Sequence, residues 1–519
     1  MLSLNIISWN PHLKAIVFIL LVYSLFRPGN TFAQSLSISQ LEHYEQELFM
    51  LEEEDVIIHP DDNNGFFVFF QETKDARVYD NRWRITWLDT ELTPSPPLRV
   101  EFDSEFKLIA HDVHKGLLRL LLIDESRKDE YLLTSIDRRR RISSDIKFKL
   151  PFLIDFTHFE FVGNHLLMGG KINYLPNVTL LDLSTKKLVT AQGLNLRKTE
   201  LERIQVDDSE NTFSVILNEI GANGKHIYKK FSETGKVLKT HKISDRGEFN
   251  LMDVRSIELD TAMVFTGTYS HGYSKLESHG FFMTKILPGG QEMSFFYPYA
   301  LLDNYFSYMP EKKRWKNKAK VMSKAQNGKP LRYGRNYLFH KPMIGNGQIT
   351  LSADGYYSVK NSSSVYQGSP AQYKLQYVHT LLAQVDLATG KTLWDTSLEY
   401  DKYTSSYIPE QISARSTVQA DSTISILALE LGKIVTVTSR GSLYKKKDRI
   451  TLRTNRNSVV KTEKEMRNRR FGIYEFAGKY AYVFGVHETV NELKTEGKKH
   501  RRVFFINKLR FNKAVGPIY

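Results

Sequence analysis

Residues 381–398, LLAQVDLATGKTLWDTSL, read as two short strands joined by a tight turn. Asp386 and Thr389 can bond nearby backbone N–H groups, and Gly390 can take a positive φ at no steric cost. Leu393 and Trp394 then restart a strand. Weaker copies recur at Asp182-Leu183-Ser184-Thr185-Lys186-Lys187 and Phe231-Ser232-Glu233-Thr234-Gly235-Lys236. Looser ones sit at Asp89-Thr90-Glu91-Leu92, Asp137-Arg138-Arg139-Arg140-Arg141-Ile142 and Leu287-Pro288-Gly289-Gly290-Gln291. The step is nearly constant from Asp89 to Asp137, from Asp137 to Asp182 and from Thr185 to Thr234. This period, about 45 to 50 positions with several strands in each, is what a four-stranded propeller blade requires. We therefore expect an all-β propeller over residues 56–519, with seven blades. Eight is the alternative, because residues 400–519 can hold one elongated blade or two.

Short β-rich runs at residues 66–70, 117–123, 165–168, 213–217, 262–266, 434–438 and 480–486, many bounded by Gly, Asn or Asp, fit this plan. Residues 501–511, RRVFFINKLRF, read as a closing strand that pairs with one from the start of the domain. Residues 34–55 look different. Ser39 and Glu42 form a possible capping box, and Leu41, Tyr44, Leu48 and Leu51 share one helical face. An N-terminal amphipathic helix packed on the propeller edge is the expectation there. Near residues 301–340 the repeat spacing doubles to admit an insertion. Its middle, PEKKRWKNKAKVMSKAQNGKP, reads as a helix that starts after Pro310 and stops at Asn327-Gly328. Residues 360–373 read as a flexible hairpin tip, and residues 445–470 as a second basic stretch.

The segment 381–398 resembles the repeat of pyrroloquinoline-quinone-type (PQQ-like) β-propellers, in which an A-x-D-x-x-T-G-K-x-x-W pattern closes each blade. Ala383, Asp386, Thr389, Gly390, Lys391 and Trp394 carry the match, with Asp386 one residue later than in the pattern. The other repeats lack the Trp, so outside this segment the resemblance lies in the period alone. It implies a propeller from a family that includes quinone dehydrogenases and non-enzymatic scaffolds of the bacterial envelope. The lysine-rich insertion followed by ITLSADGYYSV, residues 349–359, is loosely similar to uncharacterised exported propeller proteins of Bacteroidetes.

Residues 1–33 carry the pattern of a secretory signal peptide: Lys14, a twelve-residue apolar core over residues 15–26, a break at residues 27–30, and small residues around Ala33. Twelve residues span about 18 Å as a helix, against roughly 30 Å of bilayer core. Cleavage is thus expected rather than anchoring, and the mature chain is expected to hold no transmembrane span. The chain has no cysteine, which excludes disulfides, thiolate metal sites and a lipidated N-terminal cysteine. Together these place it outside a bacterial cytoplasm: periplasmic, outer-membrane-associated or extracellular. The net charge is +14, and losing Lys14 and Arg27 leaves +12. That charge favours anionic partners, and the address makes nucleic acid an unexpected one.

Chemical motifs are sparse. His111 and His114 lack a third ligand at a telling spacing and read as surface-loop residues rather than metal ligands; His271 and His279, eight apart, would be brought together by a hairpin, but they lack a third ligand as well. Asp61-Asp62 and Asp207-Asp208 have turn composition and fall short of a calcium loop. No G-x-S-x-G, H-E-x-x-H, P-loop or dinucleotide fingerprint occurs. No quinone site or calcium ligand set can be placed either, so we expect no cofactor. From Lys312 to Arg335 there are ten basic residues and no acidic one. Lys312, Lys313, Arg314, Trp315, Lys316, Lys318 and Lys320 are the candidate contacts for a protein or an anionic envelope component such as a glycan, lipopolysaccharide or lipid headgroup. The acidic segment 42–55 is a candidate counterpart within the chain. The leading expectation is a non-enzymatic binding or scaffold protein of the bacterial envelope. The alternative is a carbohydrate-active hydrolase or lyase with its site in the central funnel.

Overall fold

The computed structural model describes residues 36–47, 56–61, 64–71, 82–103, 105–138, 143–220, 225–243, 249–272, 277–360, 373–399, 405–406, 415–418, 424–430, 433–439, 445–451, 472–476, 480–490 and 500–513. The signal segment, most of the hairpin tip at 360–373, and residues 452–470 of the second basic stretch lie outside these. Residues 38–511 form one compact unit. The chain ends, 1–37 and 512–519, form a second, of which Leu36, Ser37, Asn512 and Lys513 are described.

The fold is a β-propeller of four-stranded antiparallel blades. Seven sheets follow one another along the chain: residues 57–101, 106–149, 155–190, 199–243, 249–298, 336–406 and 415–451, numbered blades 1 to 7. Within each of the first five and the seventh, the strands pair in chain order. Blade 6 is enlarged by two short strands, Met343–Gly345 and Ser405–Ser406. An eighth sheet pairs Gly472–Phe476, Tyr480–Val490, His500–Lys513 and Leu36–Glu47, in that order. Of the two blade counts left open by the sequence, the pairings group into eight sheets.

The repeated turn joins the third and fourth strands of successive blades. In blade 6, Asp386 N–H donates to Lys391 O at 2.9 Å, Thr389 N–H donates to Asp386 Oδ1 at 2.7 Å, and Gly390 sits at φ +68°. Asp182 N–H to Lys187 O and Ser232 N–H to Lys236 O repeat the closure at 3.0 Å in blades 3 and 4. Lys186 and Gly235 hold the corresponding positive φ. The turn is also an inter-blade contact, because Tyr297 of blade 5 donates its hydroxyl to Gly390 O at 2.9 Å.

The apolar runs at 66–70, 117–123, 165–168, 213–217 and 262–266 fall in the second strands of blades 1 to 5, where both faces are covered by adjacent blades. That explains their continuous apolar character in place of alternation. Successive clusters of buried side chains fill the spaces between blades. Phe69, Leu120 and Leu132 lie between blades 1 and 2, Leu133 and Met168 between 2 and 3, and Leu180 and Val215 between 3 and 4.

Residues 36–47 form a strand, which corrects the helix expected there; residues 34–35 and 48–55 of that expectation lie outside the described residues. Gln40 Nε2 donates to Asn507 Oδ1 at 3.0 Å, and His43 Nδ1 meets the same oxygen. Tyr44 packs on the cluster of Phe66, Val68, Tyr482 and Ile506 between blades 8 and 1. Pairing with His500–Lys513, from the far end of the chain, satisfies this backbone, and that outweighs a local helical spacing. Tyr482 donates to Thr90 O at 2.7 Å and Lys508 pairs with Glu91, which joins blade 8 to blade 1.

The insertion contains the expected helix, Glu311–Gln326, with Asn327 as its C-cap and Gly328 at φ +62°. No helix of the described residues is long and apolar enough to cross a membrane.

Candidate functional site

The first, innermost strands of blades 2 to 5 each slip register against their neighbour, between Leu108/Ala110, Phe156/His158, Leu201/Arg203 and Met252/Arg255. Such bulges insert a residue and re-aim the side chains that follow. Opposite one of them, a Cβ on Gly267 would meet Met252 O at 2.6 Å, so this strand can approach the bulge only as glycine. The blade 4 and blade 5 bulges are tied to one another. Glu202 Oε1 accepts Val254 N–H at 2.8 Å, and Gln205 bonds Ser256 through both backbone and hydroxyl.

Beyond the bulges, the inner strands of blades 2 to 5, with residues 341–344 of blade 6, line a cavity of about 520 Å³ at the centre of the ring. Asp112 comes from blade 2, Glu160 from blade 3, Arg203 from blade 4, Arg255 from blade 5 and Lys341 from blade 6; Asp208 sits just past the blade 4 strand. Asp112 is paired with His59 at 3.3 Å. Arg119 faces Asp112 and lies 4.5 Å over the Phe161 ring. Burial, and then the neighbouring Asp112 charge, push the Glu160 carboxyl up to about 7, although His59 pulls the other way. Asp253, at φ +52° in the blade 5 bulge, is also pushed up by burial and by Glu202, while Arg203 and Arg255 oppose the rise. Arg255 donates to Phe339 O at 3.2 Å, which fixes its guanidinium at the wall.

Glu160 gives a pH-dependent prediction. Between 4.5, the ordinary value, and about 7, the folded chain binds more protons than the unfolded one. Stability therefore falls as pH rises through that window, and the cost is complete above it. At about 1.4 kcal/mol per pH unit, it is capped at roughly 3.5 kcal/mol. Glu160→Gln should raise the thermal midpoint near pH 8 and leave it unchanged near pH 4.5. A scanning-calorimetry series over pH checks both ends.

One of the two histidine pairs singled out by sequence lies elsewhere than expected. His111 and His114 are in the inner strand of blade 2 and not in a surface loop. Three residues apart on a strand they face opposite sides: His111 meets Phe69 and His59, whereas His114 stacks on Phe161 at the cavity. His271 and His279 do meet across a hairpin, with rings 5.4 Å apart. His279 Nδ1 accepts the His271 N–H at 3.1 Å, and burial holds its pKa down to about 4. No group of three potential metal ligands occurs among the described residues. Asp207 serves as a turn residue that accepts Ser209 N–H at 3.0 Å, while its neighbour Asp208 lines the cavity. Asp61 is wholly buried, accepts from Trp87 Nε1 at 3.2 Å and pairs with Arg138; Asp62 lies outside the described residues.

The helix Glu311–Gln326 stands on the propeller through its inner face. Val321 enters the cluster of Tyr299, Tyr305, Phe306 and Leu331. Arg314 donates to Ser307 O at 2.7 Å, so it anchors the helix, and Lys318 is half-buried. Asp395 accepts Asp303 and Asn304 N–H at 2.8 and 2.7 Å, which fixes the approach to the helix. On the outer face Trp315 is 64% exposed and Met322 54%, with Ala319 between them. Lys312, Lys313, Lys316 and Lys320 surround them, and no carboxylate among the described residues pairs with these four.

Reading strands by their apolar runs passed over Glu160, Arg203, Arg255 and Lys341. A signal existed, since Asp112, Glu160 and Gln205 follow one another at the step of the turn repeat.

No family model matches the chain, and no curated protein matches it. Among solved structures it is similar to the Dos1 propeller, at 9% identity and a TM-score of 0.41 over 91% of this chain and 95% of that one. It is similar to the polysaccharide lyase Uly1 at 10% identity and 0.35, over 91% and 100%. It is similar to the tricorn protease at 10% identity and 0.38, with 79% of this chain covering only 36% of that one. Similarity at this level carries no functional argument.

Proposed function

We propose that this protein is an exported binding propeller of the bacterial envelope that docks on an anionic surface through the outer face of the helix Glu311–Gln326. One observation carries this reading: a helix fixed to the core by Val321 and Arg314 presents Trp315 and Met322 to solvent amid lysines without described carboxylate partners. An indole beside lysines suits the boundary between headgroups and water. The leader pattern, the lack of cysteine and the PQQ-like turn support the address.

Co-sedimentation with phosphatidylglycerol and phosphatidylcholine vesicles tests it. Each lysine near an anionic surface contributes about 1 kcal/mol, so Lys312→Gln, Lys316→Gln and Lys320→Gln together should weaken binding on the order of 100-fold. Binding should also collapse as salt rises from about 0.1 M, where the Debye length is about 10 Å, to about 1 M, where it is about 3 Å. Equal binding to both vesicle types, or a triple variant that binds like the parent, sinks the docking reading. A protein partner lost with the same variant would move the contact from lipid to protein.

A second reading, a carbohydrate-active enzyme, is favoured by the elevated Glu160 carboxyl beside Asp112 in the central cavity. A group that titrates near neutrality can exchange protons with substrate. Turnover of acidic or neutral polysaccharides by the parent but not by Glu160→Gln would establish it.

A further inference from the structure

We infer that the central cavity binds a carboxylated sugar, with the carboxylate held by Arg203, Arg255 and Lys341 and the hydroxyl groups by Asp112, Glu160 and Asp208. The inference is independent of helix docking, and it requires no turnover.

The volume, about 520 Å³, lies within the roughly 300–1,000 Å³ typical of small-molecule sites. The charges are segregated. Carboxylates come from the blade 2, 3 and 4 side, and cations from the blade 4, 5 and 6 side. One lining group is left wanting a partner: Arg203 Nε is buried without a hydrogen-bond partner among the described residues, whereas His114, only 6% exposed, faces Asp208 at 3.7 Å. Arg203 can only donate, so an anionic acceptor suits it. Asp253 beside Arg203 and Arg255 offsets part of their charge, while Lys341, exposed at the rim, has no described carboxylate partner.

The opposite wall distinguishes a sugar acid from an amino acid. An ammonium needs free negative charge. Asp112 is already engaged by His59 and faces Arg119, and burial favours the neutral form of Glu160. Such a wall exchanges neutral hydrogen bonds with hydroxyl groups better than it neutralises a cation. Phe161, Ile257 and Ile344 supply apolar surface for the C–H face of a pyranose.

Isothermal titration of the full chain with D-galacturonic and D-glucuronic acid and their oligomers tests the inference, with galactose, glucose and glycine as comparison probes. Uronates should bind at least about tenfold more tightly than the neutral hexoses. Lys341→Gln, at an exposed position, should weaken uronate binding about five- to tenfold and leave any neutral-sugar binding unchanged. Asp208→Asn, also exposed, should weaken both sugar classes alike. Neutral hexoses binding as well as uronates, glycine binding best, or no uronate binding in the folded parent each overturn the inference. Vesicle binding can persist in every one of those cases, so the two proposals fail separately.

Discussion

Removing residues 38–47 should strongly destabilise the fold. The loss exposes one whole edge of His500–Lys513, leaving unpaired N–H and C=O groups that other chains can add to. It also removes both Gln40 and His43 from Asn507, which is 0% exposed, and Tyr44 from the cluster joining blades 8 and 1. A ring holds each blade between two neighbours, so an opened eighth blade weakens the seals on both sides. We expect a loss of roughly 5 kcal/mol or more, a fall in thermal midpoint on the order of 10 °C, and association of the truncated chain. Asn507→Ala isolates the polar part of the latch and should cost about 2 kcal/mol. Calorimetry and light scattering on the chain beginning at residue 48 decide the matter. A monomer that melts with the parent would show that Leu36–Glu47 is dispensable.

Asp61→Ala should be the most damaging single substitution near a turn. The carboxylate is 0% exposed, pairs with Arg138 from the edge of blade 2, and accepts the indole N–H of Trp87. Arg138 also lies 5.3 Å over the Trp87 ring, so the three groups form one unit between blades. Removing a single partner from a buried ion pair leaves the other charge poorly solvated, at about 3–5 kcal/mol. Asp61→Asn keeps an acceptor for Trp87 and should lose less. Denaturant midpoints for the two variants measure the difference. An Asp61→Ala protein within about 0.5 kcal/mol of the parent would remove the ion pair from the account.

Both predictions concern groups that look ordinary in the sequence. Asp61 has the composition of a turn and does make one, with Asn64 N–H donating to Asp61 O at 2.8 Å. Nothing local announces that its side chain meets Arg138, which belongs to the next blade. Ser39 and Glu42 have the spacing of a helix start, but that spacing cannot register a strand that arrives from residue 500. The bulges behind the cavity are silent for the same reason, because a bulge is a mismatch between two strands and neither strand shows it alone.

The sequence by itself determined what rests on short-range chemistry. The turn at Asp386–Lys391 needs a side-chain acceptor, a hydroxyl and a residue at positive φ within a few positions, so its copies and their period were legible, and with them the propeller. The helix Glu311–Gln326 was equally legible, bounded by Pro310 and Asn327-Gly328. The doubly covered second strands showed as apolar runs because burial on both faces erases alternation. Only the tertiary structure decided how the ring closes, that Arg314 is an anchor while Trp315 is presented, and that Asp112, Glu160, Arg203, Arg255 and Lys341 share one cavity. Each depends on contacts between blades, whose geometry is set by ring closure and strand register rather than by neighbouring residues.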